Sequence, residues 1–254
     1  MRDDASLAGA KLHYHALGVE WGPSPQGGKG GSLMSRSFSS DPQQPADATS
    51  LAASRLLYRW QAPVYDQTRW FFLRGRSAAV RMLELQAGEH ALEVGCGTGS
   101  NLLGLRRLVG DAGTVQGLDS SPHMLAQARA KLARRGWPNV QLHEGDAGHF
   151  DLGRPLDAIL YSYSLSMIPA WRASLAAARR HLAPGGRLVI VDFGDLRGCG
   201  IVRRLLLRWL RAHHVESQRP YAEALGEIFG TTAVETRQGT AGWYFLARCR
   251  TPRR

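Results

Sequence analysis

Ala91-Leu92-Glu93-Val94-Gly95-Cys96-Gly97-Thr98-Gly99-Ser100-Asn101 is the stretch whose reading decides the fold. Its apolar opening suits a buried strand ending in Glu93; three glycines follow at alternate positions, and Leu102, Leu103, Leu105 and Leu108 continue at helical spacing. The pattern is strand, tight glycine turn, helix. Glycine is called for where the backbone turns sharply and a ligand must lie against bare main chain. A second apolar segment, Thr114 to Leu118, ends in Asp119, twenty residues beyond Gly99. A carboxylate at that place on a strand's C-terminal edge can accept both hydroxyls of a ribose.

The glycine spacing also separates ligands. A G-x-G-x-x-G turn seats a pyrophosphate on a helix N-terminus. Here the spacing is G-x-G-x-G, led by Glu93, and an acid at the turn repels phosphate while suiting a cationic group. With these motifs the chain, over about residues 55 to 250, resembles the class I S-adenosylmethionine (SAM) methyltransferases, whose first motif is E/D-x-G-x-G-x-G and whose second ends in an acid. The resemblance implies SAM as cofactor. It also implies an α/β fold, a doubly wound Rossmann-like seven-stranded sheet with an N-terminal helical lid.

A chain of 254 residues holds one well-buried α/β domain with extensions. A net charge of +11 and a pI near 10.3 favour polyanions, nucleic acid or anionic lipid. Cys96, Cys199 and Cys249 are odd in number and lack metal-ligand spacing, which points to a reduced cytoplasmic setting and no metal. The start shows no apolar signal region, and no window is long enough to span a membrane.

Residues 1–50, rich in Gly, Ser, Pro and Gln, are expected to be disordered, and Met34 is an alternative initiator to Met1. Residues 51–86 read as a helical lid, with Leu56, Leu57, Trp60, Trp70, Phe71, Val80 and Leu83 at helical spacing and a break at Pro63. Residues 87–250 form the expected catalytic domain. After Asp119 a helix begins on Ser120 or Ser121, with Pro122 in its first turn and Met124, Leu125, Ala128 and Leu132 inside. Val140 to Gly145 is a third strand, Asp157 to Ser164 a fourth, and Arg187 to Phe193 a fifth after the turn Pro184-Gly185-Gly186. Thr231 to Thr236 and Gly242 to Cys249 read as a closing hairpin with one strand antiparallel. The alternation of strands and helices independently argues a doubly wound sheet.

The resemblance assigns the cofactor contacts. Glu93, Gly95, Gly97 and Gly99 would line the methionine end, with Cys96 a small residue within the loop. Asp119, followed by Ser120 and Met124, would serve the ribose side, Asp146 and the main chain of Ala147 the adenine, and Ser162 the end of the fourth strand. Arg76 of the lid would pair with the methionine carboxylate, as guanidinium geometry allows. Tyr65, Tyr163, Ser164, Met167 and His214 are candidate acceptor contacts, with Asp192 a further group at the same sheet edge; ordinary packing is the alternative for the aromatics and for the histidine.

The acceptor is read from two signals. There is no Asn/Asp-Pro-Pro-Tyr/Phe segment after the fourth strand, which weakens methylation of nucleobases. In Ile201 to Arg211, positions 202, 205, 206, 209 and 210 form an apolar stripe, with Arg204, Arg208 and Arg211 on the other side. Such a helix either lies on an anionic bilayer or packs its stripe on the sheet with its arginines solvated. The segments 58–66, 68–76, 162–171 and 191–195 resemble the N-methyltransferases of betaine-lipid synthesis, although Ala170 stands where that family often has an acid. This implies a cytoplasmic enzyme, peripheral on the inner membrane face, that converts diacylglyceryl homoserine to diacylglyceryl-trimethylhomoserine. Methylation of phosphatidylethanolamine, or C-methylation of a quinone-type ring, are the alternatives. The expected partners are a lipid or small-molecule amine acceptor and an anionic membrane surface rather than nucleic acid.

Overall fold

The structure is a computed structural model that describes residues 74–253. They fall in a unit that runs from Gln44 to Arg254. The expected disorder of residues 1–50, Tyr65 and most of the expected lid lie outside the described residues. What is described of the lid is α1, Arg76–Met82. It starts after Gly75 (φ 82°), where any Cβ would stand 2.5 Å from the Tyr244 ring. Its C-terminal end is tied to the sheet by buried Arg187, which donates to the carbonyls of Leu83 and Glu84 and to the Glu89 carboxylate.

Seven strands form one sheet: β1 His90–Val94, β2 Thr114–Asp119, β3 Val140–Glu144, β4 Leu156–Ser162, β5 Leu182–Phe193, β6 Val234–Gln238 and β7 Tyr244–Arg250. The spatial order is β3-β2-β1-β4-β5-β7-β6, and β7 alone runs antiparallel to its neighbours. The expected doubly wound sheet and its terminal hairpin are therefore present. Because β2 and β3 lie to one side of β1 while β4 and β5 lie to the other, the order reverses between β1 and β4. In such sheets the ligand crevice opens beyond the carboxyl ends of the strands at that reversal.

The central strands are apolar on both faces because helices cover both. On one face α4 (Trp171–His181) and α6 (Tyr221–Phe229) pack Trp171, Leu175, Leu225 and Phe229 against Leu92, Ile159, Tyr161 and Ile190. On the other, α1, α2 (Leu102–Val109), α3 (Pro122–Ala133) and α5 (Arg203–Ala212) bring Leu83, Leu105, Leu125, Leu207 and Leu210 onto Ala91, Leu160, Val189 and Val191. Of the two serines offered as the cap of α3, Ser121 holds it: its hydroxyl accepts the Met124 amide at 3.3 Å.

Three expectations change. The fourth strand ends at Ser162 instead of Ser164 because Tyr163 takes a left-handed conformation (φ 56°). The fifth begins at Leu182, and the Pro184-Gly185-Gly186 turn becomes an irregular lead-in opposite a register shift between Leu156 and Ala158. On α5 the buried residues are Leu207 and Leu210, whereas Val202, Leu205 and Trp209 of the expected stripe are exposed.

Candidate functional site

The crevice floor is the turn after β1. Gly95, Gly97 and Gly99 all have positive φ, but their surroundings differ. A Cβ at Gly95 would lie 2.4 Å from Ser164 Cβ, and one at Gly99 would press on Ala128 and Leu102. Packing therefore demands these two glycines. A Cβ at Gly97 would meet nothing within 4 Å, so its bare main chain borders open space. This is the position where a ligand can lie on the backbone. Cys96 turns its thiol into the core against Gly117, and burial pushes that thiol well above its ordinary pKa. Only its main chain could serve a cofactor.

Glu93 stands at the end of β1, buried at 2% exposure. Its Oε1 accepts Asn101 Nδ2 at 2.6 Å, and Asn101 Oδ1 in turn accepts Arg76 Nε at 3.1 Å and Nη2 at 2.9 Å. This orientation of the amide is fixed by chemistry, since a guanidinium only donates and a carboxylate only accepts. Arg76 is thus brought to Glu93 through Asn101. Among the described residues Glu93 Oε2 has no partner, and neither has the Ser162 hydroxyl. The parallel register pairs Glu93 with Leu160, so Ser162, two residues on, projects from the same face of the sheet. Burial pushes the Glu93 carboxyl up to about 7, against the opposing pull of Arg76 and the Asn101 hydrogen bond.

Two buried oxygens without partners among the described residues, on one face at the reversal of the sheet, are a cost that a donor-bearing cationic ligand removes. That is the fit expected of the amino-acid end of SAM. Glu93, Ser162 and the Gly97 main chain are the groups that would hold it. Asp119 lies beside them. Its Oδ2 accepts Gly97 N at 2.7 Å and its Oδ1 accepts Ser121 N at 2.9 Å, so it first fixes the glycine turn and the start of α3. Ser120 is half-buried next to it, while Met124 is buried beneath α3. After β3, Asp146 Oδ1 caps Gly148 N at 2.9 Å and Oδ2 lies 3.7 Å from His149 Nδ1, with Ala147 partly buried behind it.

The acceptor candidates fare differently. Tyr163 is buried edge-on against Phe193, and its hydroxyl donates to the Arg74 carbonyl at 2.5 Å. The Ser164 hydroxyl donates to the Val94 carbonyl at 2.7 Å. Both are structural here: they fasten the loop after β4 to the lid and to β1. His214 follows α5 in a left-handed conformation (φ 58°), is exposed, and is not brought to Glu93 by any described contact. Asp192 faces the opposite side of the sheet, fully buried, where it accepts Ser166 N at 2.9 Å, Ser166 Oγ at 2.7 Å and Phe193 N at 2.8 Å. Met167 is half-buried at the edge of the Glu93-side core.

Asn101 is the site residue that the sequence reading passed over. An Asn at the first turn of a helix reads as a cap. Here it makes no cap hydrogen bond, and its amide joins Arg76 to Glu93 instead.

Residues 91–186 match the family model described as "Methyltransferase domain". These residues are similar to that domain family. Among curated proteins, the demethylmenaquinone methyltransferase of Tropheryma whipplei (strain Twist) is 36% identical over 151 residues, covering 58% of this chain and 61% of the relative. The chain thus spans about three-fifths of that relative's length. Among solved structures, a SAM-dependent methyltransferase from Aquifex aeolicus superposes with a TM-score of 0.56 at 19% identity, over 75% of this chain and 96% of that one. Phospholethanolamine N-methyltransferase 2 of Haemonchus contortus, in complex with phosphomonomethylethanolamine and S-adenosylhomocysteine, superposes with a TM-score of 0.64 at 17% identity, over 79% of this chain and 60% of that one. The described sheet and its helices therefore have the fold seen in these SAM-dependent methyltransferases. The resemblance to betaine-lipid enzymes finds no support among these relatives, whose curated member is named for a quinone.

Proposed function

We propose that the protein is a SAM-dependent methyltransferase that C-methylates a quinone-type ring carried on an apolar tail. The observation that carries the cofactor half is the pair of orphaned oxygens, Glu93 Oε2 and Ser162 Oγ, on one face beside the open Gly97 turn. The acceptor half is supported by the naming of the curated relatives, which favours the quinone over the amino-lipid expected from sequence.

Bound SAM supplies an electrophilic methyl group on a sulfonium. The chain's own residues position and enclose. Glu93, held by Asn101 and Arg76, accepts the ligand's ammonium; Asp119 accepts ribose hydroxyls; Asp146 and the Ala147 main chain take the adenine. The loop from Tyr163 to Ile168 closes the β4 side of the crevice. It is braced from behind, because Arg219 Nη1 donates to the Leu165 and Ile168 carbonyls at 2.9 and 2.7 Å and Glu216 N donates to the Ser166 carbonyl at 3.0 Å. A rigid wall of this kind aligns a nucleophile and keeps water out. A ring carbon becomes nucleophilic once its neighbouring hydroxyl loses a proton, and the ring proton leaves after methyl transfer. His214 is the group proposed to receive a proton, and Tyr65 is proposed as a contact of the acceptor.

The second reading is N-methylation of an amino-lipid headgroup such as diacylglyceryl homoserine. It is favoured by the Ser162–Trp171 and Val191–Asp195 segments, which supply the wall and its Asp192 brace. The test offers the purified chain labelled SAM with reduced demethylated menaquinone and, separately, diacylglyceryl homoserine. Label in the quinone supports the first reading. Label only in the amino-lipid supports the second, and label in neither overturns both.

A further inference from the structure

The face of α5 that points away from the sheet is built unlike any other described helix surface. Ile201 is 96% exposed, Leu205 70%, Trp209 49% and Val202 48%, and together they are nearly all of the large apolar exposure among the described residues. At 100° per residue Leu205 and Trp209 of α5 lie about 40° apart, with Arg204, Arg208 and Arg211 filling the adjoining arc, and Ile201 and Val202 end the 3₁₀ turn that leads into the helix. Leu207 and Leu210, nearly opposite, anchor the helix to the Glu93 side of the sheet.

Three features identify the occupant. The arginines lie at spacings of four and three, where like charges repel, and the sequence has no acid between Asp195 and Glu216 to neutralise them. Arg203, the exception, turns inward to donate to the Asp195 carbonyl at 2.8 Å. Apolar side chains in one arc with arginines in the next match a surface that is hydrocarbon below and phosphate above. Trp209 is the side chain suited to that boundary. At ten residues the helix is far too short to cross a bilayer and can only lie in its interface.

We propose that the outward face of α5 docks on an anionic lipid bilayer, with Leu205 and Trp209 entering the interface and Arg204, Arg208 and Arg211 pairing with headgroup phosphates. The proposal goes beyond the acceptor reading and stands whichever molecule receives the methyl. Because α5 packs on the same sheet face as Glu93 and Ser162, docking there sets the candidate site beside the surface that would hold an apolar-tailed acceptor.

The test is flotation of the full chain with vesicles of phosphatidylglycerol and phosphatidylcholine, against vesicles of phosphatidylcholine alone. S-adenosylhomocysteine affinity serves as the folding control. Binding is expected only to the anionic vesicles, and it should weaken with added salt. Replacing Arg204, Arg208 and Arg211 by Gln is expected to lower partitioning on the order of a hundredfold. Leu205→Ser with Trp209→Ser is expected to abolish insertion, and both sets should retain S-adenosylhomocysteine affinity. The proposal fails if the full chain does not float, or if both variants float as well as the parent, which would place the contact in residues 1–73. It also fails if the apolar variant instead dissolves a dimer of this chain, or if the chain binds duplex DNA as tightly as vesicles through the arginines alone.

Discussion

Two carboxylates, Glu93 and Asp192, end neighbouring parts of the same sheet, and both are buried, yet they face opposite sides and are treated in opposite ways. Asp192 receives three hydrogen bonds, two from Ser166 and one from its neighbour's amide. Glu93 accepts one hydrogen bond, from Asn101, and its second oxygen has no partner among the described residues. Burial pushes both pKa values up, but the compensation differs. A buried acid with every need met is a brace; one left short of a donor at a ligand crevice is a receptor. The contrast teaches that burial alone does not locate a site, whereas burial without satisfaction does.

The comparison breaks most visibly at Asp192. Replacing it by Ala strands the Ser166 amide and hydroxyl and the Phe193 amide without an acceptor in a dry interior. The expected loss is about 3–5 kcal/mol of folding stability, read as a shift of the urea midpoint. Glu93→Gln should move stability the other way. Folding raises this carboxyl from 4.5 to about 7, so the native chain binds the proton more tightly than the unfolded one. Stability from this group is therefore fullest below about 4.5 and drains away as pH rises toward about 7. Gln imitates the protonated acid, and above pH 7 the variant should be more stable than the parent by about 3 kcal/mol. The same variant should lose S-adenosylhomocysteine binding by about a hundredfold, as a charge-assisted hydrogen bond to the ammonium disappears. Destabilisation by Glu93→Gln at neutral pH would erase the distinction between brace and receptor.

The contrast was only partly legible in sequence. Glycine spacing and the acids ending β1 and β2 mark the crevice because they answer to local backbone geometry and to strand ends, which one segment of chain records by itself. Which glycine faces the ligand is not recorded there: Gly95 and Gly99 are fixed by Ser164 and Ala128, residues distant in sequence, and only Gly97 borders open space. The Arg76–Asn101–Glu93 chain joins three elements and leaves no periodic trace. Helix α5 shows a different limit. Ile201, Val202, Leu205, Leu206, Leu207, Trp209 and Leu210 cover more than half of its circumference, so periodicity cannot choose the buried arc. The sheet chose Leu207 and Leu210, and Val202, Leu205 and Trp209 were left outside.

A finer test follows the proton on Glu93. A cationic ligand binds the ionised carboxylate, so below pH about 7 the group must lose its proton on binding. S-adenosylhomocysteine affinity should climb about tenfold per pH unit below that value and level off above it. Calorimetry in buffers of different ionisation heat should show close to one proton released at about pH 6. An affinity flat across this range would mean that the ligand's ammonium lies elsewhere. Asp192→Asn, if it folds, should leave the pH profile unchanged, because that carboxylate is on the far face.

The smallest effect is expected at Tyr163, where the sequence reading placed an acceptor contact and the structure shows a fastening. Removing the hydroxyl in Tyr163→Phe loses the bond to the Arg74 carbonyl but keeps the ring against Phe193. Arg74 is exposed, so water can replace the lost donor, and the cost should be about 1 kcal/mol or less. Affinity for S-adenosylhomocysteine should stay within about twofold, since the hydroxyl is engaged by the Arg74 carbonyl and makes no bond to Glu93 or Asn101. Steady-state kinetics decide between the roles. A hydroxyl that only fastens the lid changes stability and leaves kcat/KM nearly intact; one that meets the acceptor lowers kcat/KM while stability holds. The first result would extend the Asp192 pattern to the loop as a whole, where polar groups with every partner in place shape the wall and leave the chemistry to those that lack one.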